Sequence, residues 1–381
     1  MERSEFATEQ QEYLVEVGRG YAFVPPPIPL DLPIPRAMLL KDGDARGALG
    51  ELVGESRRIE AALLLAPLRR REAVLSNVIE GTYTQVEEVL LGEATGDSAD
   101  MRAETTEVLR TIDAIEIGQH WLEEGRPLST SLVLELHAAL LRHGRGERRH
   151  PGEFRSSQVY LGSPGGNVES ARYVPPPPEQ VRPLFNELIA FIDRPTVYGP
   201  LIDAALMHYQ FEAIHPFEDG NGRLGRALIP LFLIGRSVIQ TPILYLGAYF
   251  AANREQYIEL LGAVSKKGAW ETWLEFFLEG VIREAREADQ RLRRVNALVA
   301  KYRPLVSSAS RSTSALSALD VAFDQVYLSV GQVASRTGVS VPTARNAIAT
   351  LESVGFLRLG PRLRGKQYWV AQEVIDELYR L

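Results

Sequence analysis

Apolar residues recur at spacings of three and four along most of this chain, and alternating runs are few and short. PLIDAALMHYQFEAI, Pro200 to Ile214, keeps helical spacing. RALIPLFLI, Arg226 to Ile234, is apolar nearly all round and predicts a central helix. Between them lies HPFEDGNGRLGR, His215 to Arg226, so the two helices meet at a loop. Upstream, the pattern is helical from Gly47 to about Leu91. Pro67 is expected to divide that stretch into two helices, and Gly81 to end the second. Two amphipathic helices are predicted between about residues 100 and 145, and another over EQVRPLFNELIAFID. Alternation in SQVYLG and SARYVP, around the turn SPGGN, predicts a hairpin. After the loop, Tyr245 to Val264 reads as helical. GAWETWLEFFLEGVIREAREADQRLRRV predicts long helices, whose Trp/Phe/Leu face needs burial against the core or a second copy of the chain.

The two ends differ from this middle. Residues 1 to about 50 are loop-rich, and the prolines of YAFVPPPIPLDLPIP predict an extended segment that wraps the next domain. SSASRSTSALSA, near Ser307, is a Ser-rich stretch of linker type. Beyond it the sequence resembles a winged helix-turn-helix. VGQVASRTG and SVPTARNAIATLESVG give the two helices, and FLRLGPRLRGKQYWV gives a hairpin wing. Between Ser329 and Val370, six bases (Arg336, Arg345, Arg358, Arg362, Arg364, Lys366) stand against one acid, Glu352. That favours phosphate contact, and both DNA and a protein partner stay open. The expected division is 1–97, an N-terminal segment; 98–300, the catalytic domain; 301–318, the linker; and 319–381, the winged helix.

Composition narrows the class. The chain has 381 residues, 45% hydrophobic and 24% charged, ordinary for a globular protein able to bury a sizeable core. A net charge of −7 gives no global pull toward nucleic acid or anionic membrane. The absence of cysteine removes thiol catalysis and disulfides. The first residues lack the apolar core of a signal peptide, and the longest apolar run, Ala227 to Ile234, is too short for a bilayer. A cytoplasmic location, with no membrane contact, is expected.

The chemistry concentrates in the loop. Gly220 and Gly222 let consecutive N–H groups converge on one anion, at the start of a helix whose dipole faces the same point. Arg223 and Arg226 add guanidinium forks suited to phosphate oxygens. Asp219, or Glu218, offers a hard oxygen ligand for Mg²⁺. His215 has a side chain that titrates near neutrality, suited to taking a proton from a hydroxyl. Each feature alone ordinarily has a structural role. In this order and spacing they indicate phosphoryl or nucleotidyl transfer from a Mg-nucleotide to a hydroxyl. His120, His137 and His143 lack carboxylates at metal-ligand spacing and read as surface or packing residues, His137 partly buried.

HPFEDGNGRLGR matches every fixed position of the Fic-family signature H-x-F-x-[D/E]-G-N-G-R-x-x-R. The resemblance implies a mainly α fold, a Fic-type helical core with a small β-hairpin flap, and transfer of AMP from ATP to a Ser, Thr or Tyr hydroxyl of a protein. By position, His215 is implied as general base, Phe217 as anchor of the loop, and Asp219 as Mg²⁺ ligand. Gly220, Asn221 and Gly222 are implied to line the anion hole, Arg223 to hold the β-phosphate and Arg226 the γ-phosphate. Leu224 and Gly225 complete the nucleotide-binding stretch. Tyr257 is implied to lie near the adenine or ribose. SNVIEG, Ser76 to Gly81, fits the [S/T]-x-x-x-E-[G/N] inhibitory motif of many Fic proteins, in which the glutamate, here Glu80, pairs with the second arginine, here Arg226. The flap is implied to align the target by strand pairing. A DNA-binding regulator with a Fic nucleotide sensor is the competing reading. A donor other than ATP keeps the same motif, which reads phosphates rather than the base.

Overall fold

A computed structural model describes residues 1–57, 62–96, 101–142, 148–162 and 168–379. Two short 3₁₀ turns precede an antiparallel hairpin, β1 (Leu14–Val17) and β2 (Gly20–Phe23), with Leu14 opposite Phe23. This hairpin was not expected. The prolines that follow hold the chain extended until α1 (Arg36–Ser56), which Pro35 caps in extended geometry. Helix therefore begins well before Gly47, because nothing after Pro35 interrupts it.

Next come α2 (Ala62–Ile79), α3 (Val86–Thr95), α4 (Ala103–Glu123) and α5 (Thr130–Leu141). Pro67 does not divide the helix. It lies inside α2, where packing against neighbouring helices outweighs one missing hydrogen bond. Gly81, at φ +81°, ends the turn after α2 as expected of a left-handed stop. The flap region then joins α5 to α6 (Pro178–Asp193). Among the described residues the flap strands meet in one bridge, Leu161 opposite Tyr173, rather than in a regular ladder. The SPGGN turn lies outside the described residues, as does His143.

The centre is α7 (Pro200–Ile214) and α8 (Asn221–Gly235). Thirteen of the fifteen α7 residues are buried, which explains why its apolar pattern has no strong face. Asp203 fixes the start of α7 by accepting from Thr196 Oγ1 at 2.6 Å and from the N–H groups of Val197 and Tyr198. The chain continues through α9 (Gly247–Ala252), α10 (Arg254–Lys267) and the 40-residue α11 (Trp270–Ala309). The aromatic face of α11 packs within the chain, on α1 and α7, and Trp273 donates to the carbonyl of Ala205 at 3.0 Å.

The Ser-rich stretch is not a linker. Residues 301–309 complete α11, and 313–318 open α12 (Thr313–Asp324), leaving only Ser310 to Ser312 outside helix. Ala315, Ala318 and Leu319 are buried there, so small residues serve close packing rather than flexibility. The C-terminal unit adds β3 (Tyr327–Leu328), α13 (Val330–Thr337), α14 (Val341–Ser353), β4 (Arg358–Leu363), β5 (Lys366–Val370) and α15 (Gln372–Leu378). Its antiparallel sheet runs β3-β5-β4. Ser329 and Ser340 cap α13 and α14 through their hydroxyls.

The N-terminal segment lies along the flap and α7. The Met1 ammonium donates to the Val168 carbonyl at 2.9 Å, and Phe23 N–H to that of Val174 at 2.9 Å. Gln210 of α7 donates to the Pro26 carbonyl at 2.9 Å. No helix among the described residues is long and apolar enough to cross a membrane.

Candidate active site

The corner between α7 and α8 is held by residues distant in sequence. His215 closes α7 in the left-handed region (φ 48°, ψ 63°), unusual for a residue with a Cβ. The buried Arg155 holds that turn. Its Nε donates to the His215 carbonyl at 2.9 Å, its Nη2 to those of Ile214 at 3.4 Å and Pro176 at 2.5 Å, and its own N–H to Pro216 at 3.0 Å. One guanidinium thus ties the base of the flap to the last carbonyls of α7.

Phe217 is fully buried, stacked on His137 at 3.8 Å between centroids and tilted against Phe154. Asn221 closes the loop with a pair of bonds: Phe217 N–H donates to its Oδ1, and its Nδ2 donates to the Phe217 carbonyl, both at 2.9 Å. His137 is buried completely, not partly, and supports the same loop. Its Nδ1 accepts from Gly152 N–H at 2.9 Å, so Nε2 carries the proton and donates to the Asp219 carbonyl at 3.0 Å. Burial lowers its pKa to about 4.

The glycines serve different needs. Gly220 caps α8 at φ +80°, a conformation that disfavours any Cβ. Gly222 is helical, but a Cβ there would stand 2.2 Å from Glu80 Oε1. A Cβ on Gly225 would stand 2.4 Å from Glu212 Oε1.

These residues edge a cavity of about 680 Å³, lined by His215, Asp219, Gly220, Asn221, Gly222 and Arg226 on one side and by the flap, α10 and the end of α2 on the others. Not every motif residue faces it. Phe217 and Leu224 are core, and Arg223 is turned to Glu107 at 3.6 Å and Asp219 at 3.3 Å. Leu224 as a nucleotide contact is therefore corrected: its side chain lies in the helix-packing interior. Tyr257 is also buried. It stacks on Phe250 at 4.5 Å, and its hydroxyl donates to His208 Nε2 at 2.8 Å, because His208 Nδ1 donates to the Gly225 carbonyl at 3.1 Å. It nonetheless lines the cavity.

Arg226 makes three hydrogen bonds to the end of α2. Nε donates to Ser76 Oγ at 2.8 Å, and Nη2 to the Ser76 carbonyl at 3.0 Å and Glu80 Oε1 at 2.7 Å. The guanidinium is 2% exposed and the Glu80 side chain 42%. Burial would raise the Glu80 pKa, but Arg226 outweighs it and holds the carboxyl below its usual range. Glu212 has the opposite balance. Burial exceeds the pull of Arg226 and lifts it to about 7, with Oε1 lacking a hydrogen-bond partner. His215 is lowered to about 4, by burial first and by the nearby Arg155 cation second. Its ring is therefore neutral at neutral pH and able to accept a proton.

Asp219 is the carboxylate available to a cation. Its Oδ1 accepts from Gly220 N–H at 2.6 Å, and its side chain is 43% exposed. Glu218 lines the same cavity, with Oε1 accepting from Ser157 Oγ at 3.3 Å. Among the described residues no three His, Asp or Glu side chains converge as a metal site, so a cation here would draw most of its ligands from substrate and water.

Two family models cover this architecture: that of the Fic/DOC family N-terminal region matches residues 39–120, and that of the Fic/DOC family matches residues 127–233, which include the whole corner. Residues 39–233 thus carry both regions of the Fic/DOC family. The chain is 31% identical over 138 residues to the protein adenylyltransferase Fic of Nematostella vectensis, covering 34% of this chain and 29% of that protein. It is 36% identical over 104 residues to the Aedes aegypti protein of the same name, covering 27% of this chain and 19% of that one. The matches thus span less than a third of these curated relatives. Among solved structures, a Fic family protein from Desulfovibrio desulfuricans G20 superposes with a TM-score of 0.57 at 20% identity, over 91% of this chain and 98% of that one. A Fic-1 segment from C. elegans gives 0.50 at 22%, over 70% and 73%. At these identities the likeness is one of fold. Arg155, His137, His208 and Glu212 complete this Fic/DOC site without standing in the motif. His208 and Glu212 carried a faint signal in the sequence, as ionisable residues on a mostly apolar helix.

Proposed function

We propose that this protein is an adenylyltransferase that moves AMP from ATP to Ser, Thr or Tyr hydroxyls of proteins, itself included, and that Glu80 holds it in check. The observation that carries this reading is one cavity bringing a neutral His215, the glycine loop and Arg226 together. In the reaction His215 takes the proton of the target hydroxyl. The hydroxyl oxygen bonds the α-phosphorus, the bond from that phosphorus to the bridging oxygen breaks, and pyrophosphate leaves. The N–H groups of Asn221 and Gly222 and the α8 dipole suit the phosphate charge, while the Gly220 N–H is held by Asp219. Arg226, once released by Glu80, suits the γ-phosphate. Asp219 would hold Mg²⁺, which when bound neutralises charge on the phosphates. Curated relatives named protein adenylyltransferase support the same chemistry.

The test is a pair of labelled ATP incubations with intact-protein mass. Label from the α-phosphate is expected on protein, and none from the γ-phosphate. Transfer of γ-label would make the enzyme kinase-like and reverse the assignment of the leaving group.

The state of His215 sets a pH expectation. A base with a depressed pKa stays unprotonated well below neutrality and is lost only as pH falls through its folded value. The acid limb of kcat/KM, which reports free enzyme, is expected near pH 4 rather than the usual 6.5 of histidine. A limb at 6 or above, with the protein still folded, would remove His215 as the base.

For the C-terminal unit we favour a winged helix. Arg345 on α14 and Arg362, Arg364 and Lys366 on the β4–β5 hairpin are all exposed, which suits contact with DNA phosphates. Steeply salt-dependent mobility shifts would support DNA, and their absence would leave a protein surface.

A further inference from the structure

Ser76 and Glu80 stand at the C-terminal end of α2, and the middle of that helix is built into the C-terminal unit. Arg70 is buried on α2. Its Nε donates to Glu93 Oε2 of α3 at 2.6 Å. Its Nη1 donates to the carbonyl of Asp324, the last residue of α12, at 2.7 Å, and to the Tyr379 hydroxyl beyond α15 at 3.2 Å. Arg71 reaches Glu284 of α11 at 3.3 Å. The C-terminal unit also grips α3: the Ala94 carbonyl accepts from Gln332 of α13 at 2.8 Å and from the Tyr368 hydroxyl of β5 at 3.4 Å.

Ser76 lies six positions after Arg70, about 9 Å along the helix at ~1.5 Å per residue. A hydrogen-bonded helix of this length moves as a rod, so a shift at Arg70 reaches the oxygens that hold Arg226. The tolerance there is small. Three donor–acceptor distances between 2.7 and 3.0 Å join Arg226 to Ser76 and Glu80, and hydrogen bonds weaken steeply once their geometry is lost.

We propose that the C-terminal unit sets the strength of the Glu80 brake, with Arg70 clamping α2 against α3, α12 and the chain end so that Ser76 and Glu80 stay on Arg226. This rests on the inhibitory reading of Glu80. Arg70 is then a positioning residue, acting on the active site through α2. A ligand that loosens or tightens the C-terminal unit changes transferase activity without touching the nucleotide.

Self-modification with α-labelled ATP is measured in the full-length protein for native, Glu80→Gly, Arg70→Met and the double variant, each checked for folding by thermal unfolding. Arg70→Met is expected to raise activity several-fold when Glu80 is present and to add nothing when Glu80 is glycine. Tyr379→Phe, which removes one of the three bonds and leaves no cavity, is expected to shift activity the same way by less. If Arg70→Met does not fold, Tyr379→Phe decides, together with faster hydrogen exchange of the α2 amides. Two outcomes overturn the clamp while sparing the brake. In one, Glu80→Gly activates but neither clamp variant does. In the other, Arg70→Met changes native and Glu80→Gly enzymes by the same factor. If Glu80→Gly itself fails to activate, the brake falls, and the clamp with it.

Discussion

His215→Ala is expected to abolish AMP transfer while leaving ATP binding largely intact. The nucleotide contacts proposed here come from the glycine loop, Arg226 and Asp219, and none of them passes through the imidazole. The substitution removes only the group that takes the proton of the attacking hydroxyl, a loss on the order of 10²–10⁴-fold for general base catalysis. The fold should tolerate the change at the ring. The His215 turn is held through backbone carbonyls, by Arg155, and Phe217 with Asn221 closes the loop independently. The left-handed backbone is more demanding for alanine than for histidine, so thermal unfolding is run alongside. Calorimetric titration with ATP and a single-turnover transfer assay on the same sample separate binding from chemistry. Transfer at the native rate by a folded alanine variant would mean that another group is the base.

The helical core and the catalytic corner could be read from the sequence because both are local. A twelve-residue motif contains its own turn, cap and charges, and helix spacing shows within a few turns of chain. What escaped depends on contacts between distant segments. Pro67 signals a break, yet α2 continues because its flanks are packed on both sides. The Ser-rich stretch has the composition of a linker, yet alanines and leucines interspersed among the serines give α12 a buried face. Arg155 and His137 bear no mark of importance in sequence, since their value lies in carbonyls and rings dozens of residues away. Leu224 and Arg223 show the converse. The motif places them beside the phosphates by order along the chain, but a helix turns successive side chains through about 100° each, so neighbours in sequence face different surroundings.

Glu80→Gly is expected to raise activity by a large factor, because the Arg226 guanidinium no longer has to choose between a carboxylate and a phosphate. In the resting arrangement Nη2 of Arg226 already donates to Glu80 Oε1 at 2.7 Å and to the Ser76 carbonyl. Glu80 keeps its charge, since Arg226 holds its carboxyl below the usual range. On the proposed reading, a γ-phosphate approaching Arg226 would meet that carboxylate, and ATP would be left shifted, with its α-phosphorus out of line for the target hydroxyl. Misplacement by about 1 Å can cost on the order of 10²-fold in rate, and a gain of that order is the expected effect of clearing the position. A glycine at position 80 also stands directly before the left-handed Gly81, and two glycines in succession loosen the helix end. Glu80→Gln keeps the length and one acceptor for Arg226 but loses the charge, and is expected to activate less. Glu80→Gly combined with His215→Ala is expected to be inactive, because relief of inhibition supplies no base. Ser76 offers an internal comparison: its hydroxyl and carbonyl continue to hold Arg226 after Glu80 is gone, so the arginine stays positioned for phosphate rather than drifting free. Total and self-directed AMP transfer at fixed ATP are measured for all three variants. Activity at or below the native level in a folded Glu80→Gly protein would return Glu80 to the role of an ordinary carboxylate at a helix end.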